Sequence, residues 1–334
     1  VIPKESPITI AYHSVDYMGN VEAEKSVVVV QDAEKPVTVI AVGDPKYLAN
    51  SPANTYISTS TKIGLSVTDG SNCIARTEYR INEGEWKKYG GAFMLTGTTP
   101  LPAASPRQGD EGPEIAYCNV KPAKSGRYEV HYRSADCSGN VEDEKVMEVH
   151  VDDEAPEVNI GYVGRVYRED GKTYINGNAE GSSGYMTMVK VVAEDGTGSG
   201  NSASSIRIDS GAWNAYTGQF GIPSEGAHKV EYLAVDNIGN ISEMKMENVT
   251  VDNTAPVSGI SMGDPKRDLG SGVTGITIKT PLVLSAGDTK SGTKAIEYRV
   301  DGGLVRQYAG EFLLDDSYAE GLHEIRHWST DNVG

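Results

Sequence analysis

The most specific chemical pattern in the sequence is His323-Glu324-Ile325-Arg326-His327, which has the letter pattern of a zinc-protease motif. That chemistry needs a helix, on which residues i and i+4 lie one turn apart and both imidazoles reach one ion. On a strand, at about 3.3 Å per residue, the two rings stand about 13 Å apart and cannot share a metal. A second set of residues is less specific but recurs: Asp69, Asp195 and Asp288 in Gly/Ser-rich loops, Asp136, Asp236 and Asp331 in tight turns, and Asp32, Asp152, Asp153 and Asp252 just before prolines. Carboxylates in such number suit a hard oxygen-seeking cation such as calcium, which takes six to eight oxygen ligands. They equally suit turns, because Asp and Asn side chains bond their own backbone and Gly supplies the left-handed bend.

What positions these residues is a repeat. Tyr232-Leu-Ala-Val-Asp236-Asn-Ile-Gly239-Asn240, closing on Val251-Asp252-Asn253-Thr254-Ala255-Pro256, recurs around Asp16, Asp136 and Asp331. The Asn lies sixteen residues before the Pro in each complete copy (20 to 36, 140 to 156, 240 to 256). The loop Asp at 16, 136, 236 and 331 sets periods of 120, 100 and 95 residues, each enough for a module with its own core. Aligned on that Asp, His323 to His327 falls on the strand that carries His228 to Tyr232 and Tyr128 to Tyr132, so the zinc-protease reading fails.

Each module reads as about seven short strands. They alternate apolar and polar residues, and turn signals recur every 8 to 12 residues. An all-β chain of tandem immunoglobulin-like (Ig-like) sandwiches in an elongated array follows. Residues 1–33 read as the last strand pair of a preceding module. Residues 36–153 form a module with a Pro/Gly-rich insert at 96–126, in which 114–120 reads as a short strand. Residues 156–253 form a module, and 256–334 form one lacking its last strand. Trp86 to Leu95 reads as one strand, and Val141 to Val151 as the last strand of that module. The ends fit either a window of a longer array or completion of one copy's last module by a strand from another. The chain opens at Val1 with neither a start Met nor a signal peptide, as expected of a processed protein or of such a window.

In a sandwich of this kind the loop between the second and third strands, the last hairpin and the incoming linker share one end. That groups Asp32, Asp69 and Asp136; then Asp152, Asp153, Asp195 and Asp236; then Asp252, Asp288 and Asp331. Calcium ligation and turn formation stay as two readings of these groups. The same topology brings Cys73 to Cys137 and predicts their disulfide, with Cys118 free; capture of one of them by Cys118, or three thiols, are the alternatives.

The motifs Tyr298-Arg-Val-Asp-Gly-Gly303, the aromatic strand after it, and the Asp-x-x-Gly-Asn and Val-Asp-x-x-Ala-Pro signatures resemble the tandem Ig-like repeats of bacterial secreted and cell-surface proteins. The resemblance covers nearly the whole chain. It implies an extracellular stalk, adhesin shaft or filament, or else accessory modules of a larger secreted enzyme or adhesin that bind a surface glycan or protein ligand. Its expected partners are neighbouring modules or other copies of the chain.

Composition narrows the classes further. Asp plus Glu number 47 against 30 Lys plus Arg, a net charge of −17, which opposes nucleic-acid backbones and anionic lipid surfaces. No apolar run approaches the roughly 20 residues of a spanning helix, so no membrane insertion is expected. Three Cys without a Cys-x-x-Cys pair make no zinc site. No nucleotide loop, nucleophile elbow or paired acid and base is present, and a non-enzymatic role is expected. Trp86, Trp213, Tyr89, Tyr216 and Tyr308 recur at one strand position, which reads as cross-strand packing rather than a sugar platform.

Overall fold

The structure, a computed structural model, describes residues 7–49, 54–70, 72–95, 125–178 and 186–334. Among them there are strands, turns and no helix. The chain divides into two compact units: Val1–Pro156 with the loops Glu194–Ser202 and Val235–Ile241, and Glu157–Ala193, Ala203–Ala234 and Ser242–Gly334.

The first unit opens with Ile8–Tyr12 paired antiparallel to Lys25–Val29. A two-stranded sheet buries little, and Ile10, Tyr12 and Val27 remain about half exposed. Next, Val37–Val42 pairs antiparallel with Ile63–Thr68, from Val37↔Thr68 to Val42↔Ile63. A six-stranded sheet faces this pair, in the order Lys46–Leu48, Thr55–Ile57, Lys145–Val151, Gly126–Asp136, Ile74–Ile81, Lys87–Lys88. Alternation along Gly126–Asp136 turns Tyr128 and Val130 inward, where they meet Ile57, Ile63, Leu95, Val149 and Val151. Each such side chain taken fully from water contributes about 1.5–3 kcal/mol. A parallel pairing of Val151 with Ile57 joins the last strand to the hairpin near the start, as an Ig-like sandwich requires.

The second unit repeats this plan. Its six-stranded sheet runs Val166–Glu169, Lys172–Ile175, Lys245–Val251, Gly226–Asp236, Asn201–Ile208, Asn214–Ala215, with Ile175 parallel to Val251. Glu157–Val163, Met188–Glu194 and Phe220–Gly221 form its opposing sheet. Val158, Ile175, Val189, Val230, Tyr232 and Val249 fill the core between them. From Val257 the pattern begins again with Val257–Met262 against Leu282–Gly287. Thr293–Val300 then lies between Arg306–Gln307 and Ile325–Asp331, over Leu282, Leu284, Tyr298, Val300 and Leu314. Here Val273–Ile276 pairs with Lys266–Gly270 in a two-stranded sheet. The chain is all-β, with repeated Ig-like sandwiches.

Two local expectations differ from the structure. Trp86 to Leu95 is not one strand: pairing stops after Lys87–Lys88, and Phe93 makes an isolated bridge to Ile63. Gly90-Gly91 separates them, and Gly91 has φ +146°, a conformation that only glycine adopts freely. The last strand begins at Lys145 rather than Val141, because Glu142 turns inward to accept the N–H and hydroxyl of Thr38. The expected strand at 114–120, most of the insert at 96–126, and Cys118 lie outside the described residues.

Candidate metal centres

Each centre is built from three pieces of backbone, and the first is the Asp-x-x-Gly-Asn hairpin. Asp236 Oδ1 accepts the N–H groups of Ile238, Gly239 and Asn240 at 2.9, 2.6 and 2.8 Å, while its Oδ2 accepts the Asn240 side-chain amide at 2.7 Å. Asp136 holds Asn140 through the same two contacts, and Asp16 holds Asn20. Gly239, Gly139 and Gly19 all have φ near +90 to +105°. The signature is therefore an Asx turn, as one of the two readings required.

The Asn does a second job. Asn240 Nδ2 also donates to the carbonyls of Asp152 and Glu154 at 3.1 and 3.2 Å, and Asn140 Nδ2 to that of Asp32 at 3.3 Å. The hairpin thereby grips the linker that enters its own module, 86 to 108 residues upstream in sequence.

The linker and second loop complete each centre. Asp152 Oδ2 accepts the N–H of Ser199 at 2.7 Å, and Asp252 Oδ2 that of Ser291 at 3.0 Å. Asp195 Oδ2 accepts Gly200 N–H at 2.7 Å, and Asp288 Oδ1 accepts those of Lys290 and Gly292 at 2.8 Å. The result is three triads: Asp32, Asp69 and Asp136; Asp152, Asp195 and Asp236; Asp252, Asp288 and Asp331. In each, one carboxylate oxygen per residue lies within 4.8 Å of the others. Asp152 and Asp252 are each only 1% exposed, and Asp136 and Asp236 only 2%.

Such crowding has an electrostatic cost. Burial, with the charges of Asp152, Asp236 and Glu154 close by, holds Asp195 above the usual carboxylate range. Burial, then Asp252 and Asp288, does the same to Asp331. Asp136 runs the other way: burial opposes it, but hydrogen bonds from Asn140, Ser138 and Gly139 hold it low. Near the third triad stands Lys290, bonded to Glu225 and kept protonated by that contact and by the fields of Asp252 and Asp288.

The donor set fits a hard divalent cation. It is all oxygen and carries a high negative charge, which suits calcium and excludes the thiolate and imidazole sites of zinc. Gly198 lines the second triad so closely that a Cβ there would come within 2.6 Å of Asp195 Oδ2 and 2.9 Å of Asp152 Oδ2. The hydroxyls of Ser199 and Ser291, the residues whose N–H groups hold the linker aspartates, are buried with no hydrogen-bond partner among the described residues. A bound ion would balance the carboxylates.

Asp153 does not join its group. Successive side chains at the end of a strand point to opposite sides, and the Asp153 carboxylate accepts the N–H of Thr59 at 3.0 Å instead.

Cys73 and Cys137 are bonded to each other, with Cα atoms 5.5 Å apart. Their backbones also meet, Cys137 N–H donating to the Cys73 carbonyl at 2.9 Å. The same crossing occurs without sulfur in the later repeats. Asn237 donates from its backbone to Gly200 and from its side chain to the carbonyls of Ser199 and Gly200, both at 2.9 Å. Asn332 makes the equivalent bonds to Ser291 and Gly292. Sequence reading missed these two residues; the available signal was that they occupy the position of Cys137 after the turn Asp.

The two histidines of the zinc-like pattern have separate partners. His323 bonds Asp301 and the Ala319 carbonyl, while His327, on the strand Ile325–Asp331, bonds Ser258. The aromatic residues are likewise engaged. Arg133 and Arg80 lie 4.2 and 5.3 Å from the Trp86 ring, and Arg207 lies 4.8 Å from that of Trp213. Tyr89 Oη accepts the N–H of Leu65, and Tyr216 and Tyr308 pack on the cores. Guanidinium groups thus lie over both indoles.

Against known proteins, no family model matches the chain and no curated protein matches it. Among solved structures, it is similar to the fibronectin(III)-like modules of Clostridium thermocellum CbhA. That likeness is 12% in sequence identity, covers 64% of this chain and 94% of the other, and has a TM-score of 0.30.

Proposed function

We propose that this chain is a non-enzymatic part of a secreted or cell-surface protein. In this reading it is a tandem Ig-like array that serves as a stalk, adhesin shaft or filament and holds calcium at its linkers. The observation that carries the reading is the composition of the triads, in which one aspartate from the incoming linker meets two from the loops of the module that follows. An ion bound by all three fastens the linker to those loops and removes freedom where a chain of domains is otherwise loosest. Extracellular calcium modules work at dissociation constants of about 10⁻⁴ to 10⁻³ M, matched to the calcium outside cells. The Cys73–Cys137 bond fits the same oxidising setting. The net charge of −17 keeps such an array from sticking to nucleic acid or anionic membranes.

Negative-stain images and small-angle scattering of the whole chain test this. In about 2 mM calcium, within the working range of such sites, the particles are expected to be straight rods. In excess chelator a broader spread of bend angles is expected. Compact globules in both buffers would exclude a shaft.

A further inference from the structure

Two repeats hold a histidine in the same unusual setting. His228 Nδ1 lies 2.7 Å from Asp209 Oδ2, and its Nε2 lies 2.8 Å from the Ser224 carbonyl oxygen. His323 Nδ1 lies 2.6 Å from Asp301 Oδ2, and its Nε2 lies 2.7 Å from the Ala319 carbonyl oxygen. A neutral imidazole has one donor and one acceptor nitrogen, yet here both nitrogens face acceptors. Only the imidazolium satisfies both.

The setting is repeated in sequence as well as in space. Ser224-Glu-Gly-Ala-His228 and Ala319-Glu-Gly-Leu-His323 share their spacing. Asp209 and Asp301 sit at the same turn position, with φ of 52 and 49°, their N–H groups donating to Lys229 and Glu324 carbonyls. In the first full repeat Asn82 takes that position, donating to the Glu129 carbonyl, and Tyr128 stands where the histidine would. Neither an amide nor a phenol changes charge near neutral pH.

We propose that His228 and His323 are protonation latches. As imidazolium, each ties the turn at Asp209 or Asp301 to the segment before the long strand, at Ser224 or Ala319, and on losing its proton releases that tie. The carboxylate and the carbonyl bonded to each imidazole favour the charged form. Around His228 stand Asp209, whose other oxygen takes Lys229 N–H, and Lys229 itself, whose ammonium is 3.2 Å from Glu231. Around His323 stand Asp301, whose other oxygen takes Glu324 N–H, and Tyr318 in an edge-to-face contact with ring centroids 5.7 Å apart; the Glu324 carboxylate is turned to Arg326 at 3.0 Å. Burial opposes protonation of His228, but the Asp209 and Ser224 contacts prevail and hold it above the ordinary histidine value. The Asp301 and Ala319 contacts hold His323 above it too.

The sign follows from linkage. A histidine raised on folding adds stability that is complete below its unfolded value of about 6.5 and is lost as pH rises through the folded value. The second and third repeats therefore soften as pH rises through those folded values, while the first has Tyr128 at this position.

Imidazole titration by NMR on the whole chain, in chelator so that metal release does not intrude, tests each latch separately. Resonances are assigned through single His→Gln variants. Midpoints above about 6.5 are expected for His228 and His323, moving down in Asp209→Asn and Asp301→Asn respectively. A midpoint at or below about 6.5 in the parent overturns that latch. So does a raised midpoint that the Asp→Asn variant leaves unmoved. The parent measurement needs no variant to fold differently, and neither arm depends on the calcium reading.

Discussion

Asp236→Ala is expected to destabilise its repeat by about 3–5 kcal/mol, seen as a lowered transition in scanning calorimetry of the whole chain. The carboxylate accepts three backbone N–H groups and one side-chain amide, and it is 2% exposed. Bonds to a charged acceptor contribute about 1.5–3 kcal/mol each and do not add fully, so the total stays below their sum. Truncation also frees Asn240, and with it the grip on the Asp152 and Glu154 carbonyls. Asp236→Asn separates the two roles of the residue. It keeps an acceptor oxygen for the turn and discards the charge, so in chelator it is expected to lose only about 1 kcal/mol. In calcium both variants are expected to lose the extra stability that the ion gives the parent. If Asp236→Ala matched the parent within 1 kcal/mol in both buffers, neither turn nor ion would depend on this carboxylate.

The second large effect is expected at the crossing of the loops. Replacing Cys73 and Cys137 by Ser opens a link between residues 64 apart in sequence. Restriction of the unfolded chain by a loop of that size corresponds to about 4 kcal/mol, and measured losses for native disulfides are commonly 2–5 kcal/mol. Reduction of the parent is expected to lower the same calorimetric transition as the double Ser variant and to leave the others in place. The later repeats suggest the repair. Cys73→Gly with Cys137→Asn copies the arrangement of Gly200 and Asn237, whose two side-chain hydrogen bonds contribute about 0.5–1.5 kcal/mol each. Partial recovery relative to the Ser pair is the expected result. No difference between the two variants would mean that the Asn crossings are incidental.

How much of this was legible beforehand differs from residue to residue. The all-β fold was legible because Tyr12, Tyr132 and Tyr232 repeat with their alternating neighbours, and alternation dictates which face is buried. Three aspartate groups and the Cys73 partner followed from topology, since a sandwich places those loops and the linker at one end. Asp153 did not follow, because a neighbour of Asp152 shares its composition but points to the opposite side of the strand. The break in the strand after Lys88 was signalled by Gly90-Gly91, which a run of aromatic residues on either side obscured. Asn237 and Asn332 were hidden by the variety at their position, where Tyr17 and Cys137 also occur. The histidine latches were hidden differently: His323 belongs to a pattern with a better-known reading, and its true partner, Asp301, lies 22 residues away.

Calcium titration of the whole chain by calorimetry, paired with its melting curve, tests the central claim most directly. Three ions per chain are expected, one for each triad, with melting transitions that rise as calcium is added. At a free concentration a hundred times the dissociation constant, each filled site contributes about 2.7 kcal/mol. Absence of binding heat together with identical melting in calcium and in chelator would contradict the claim, leaving the aspartates as turn formers alone.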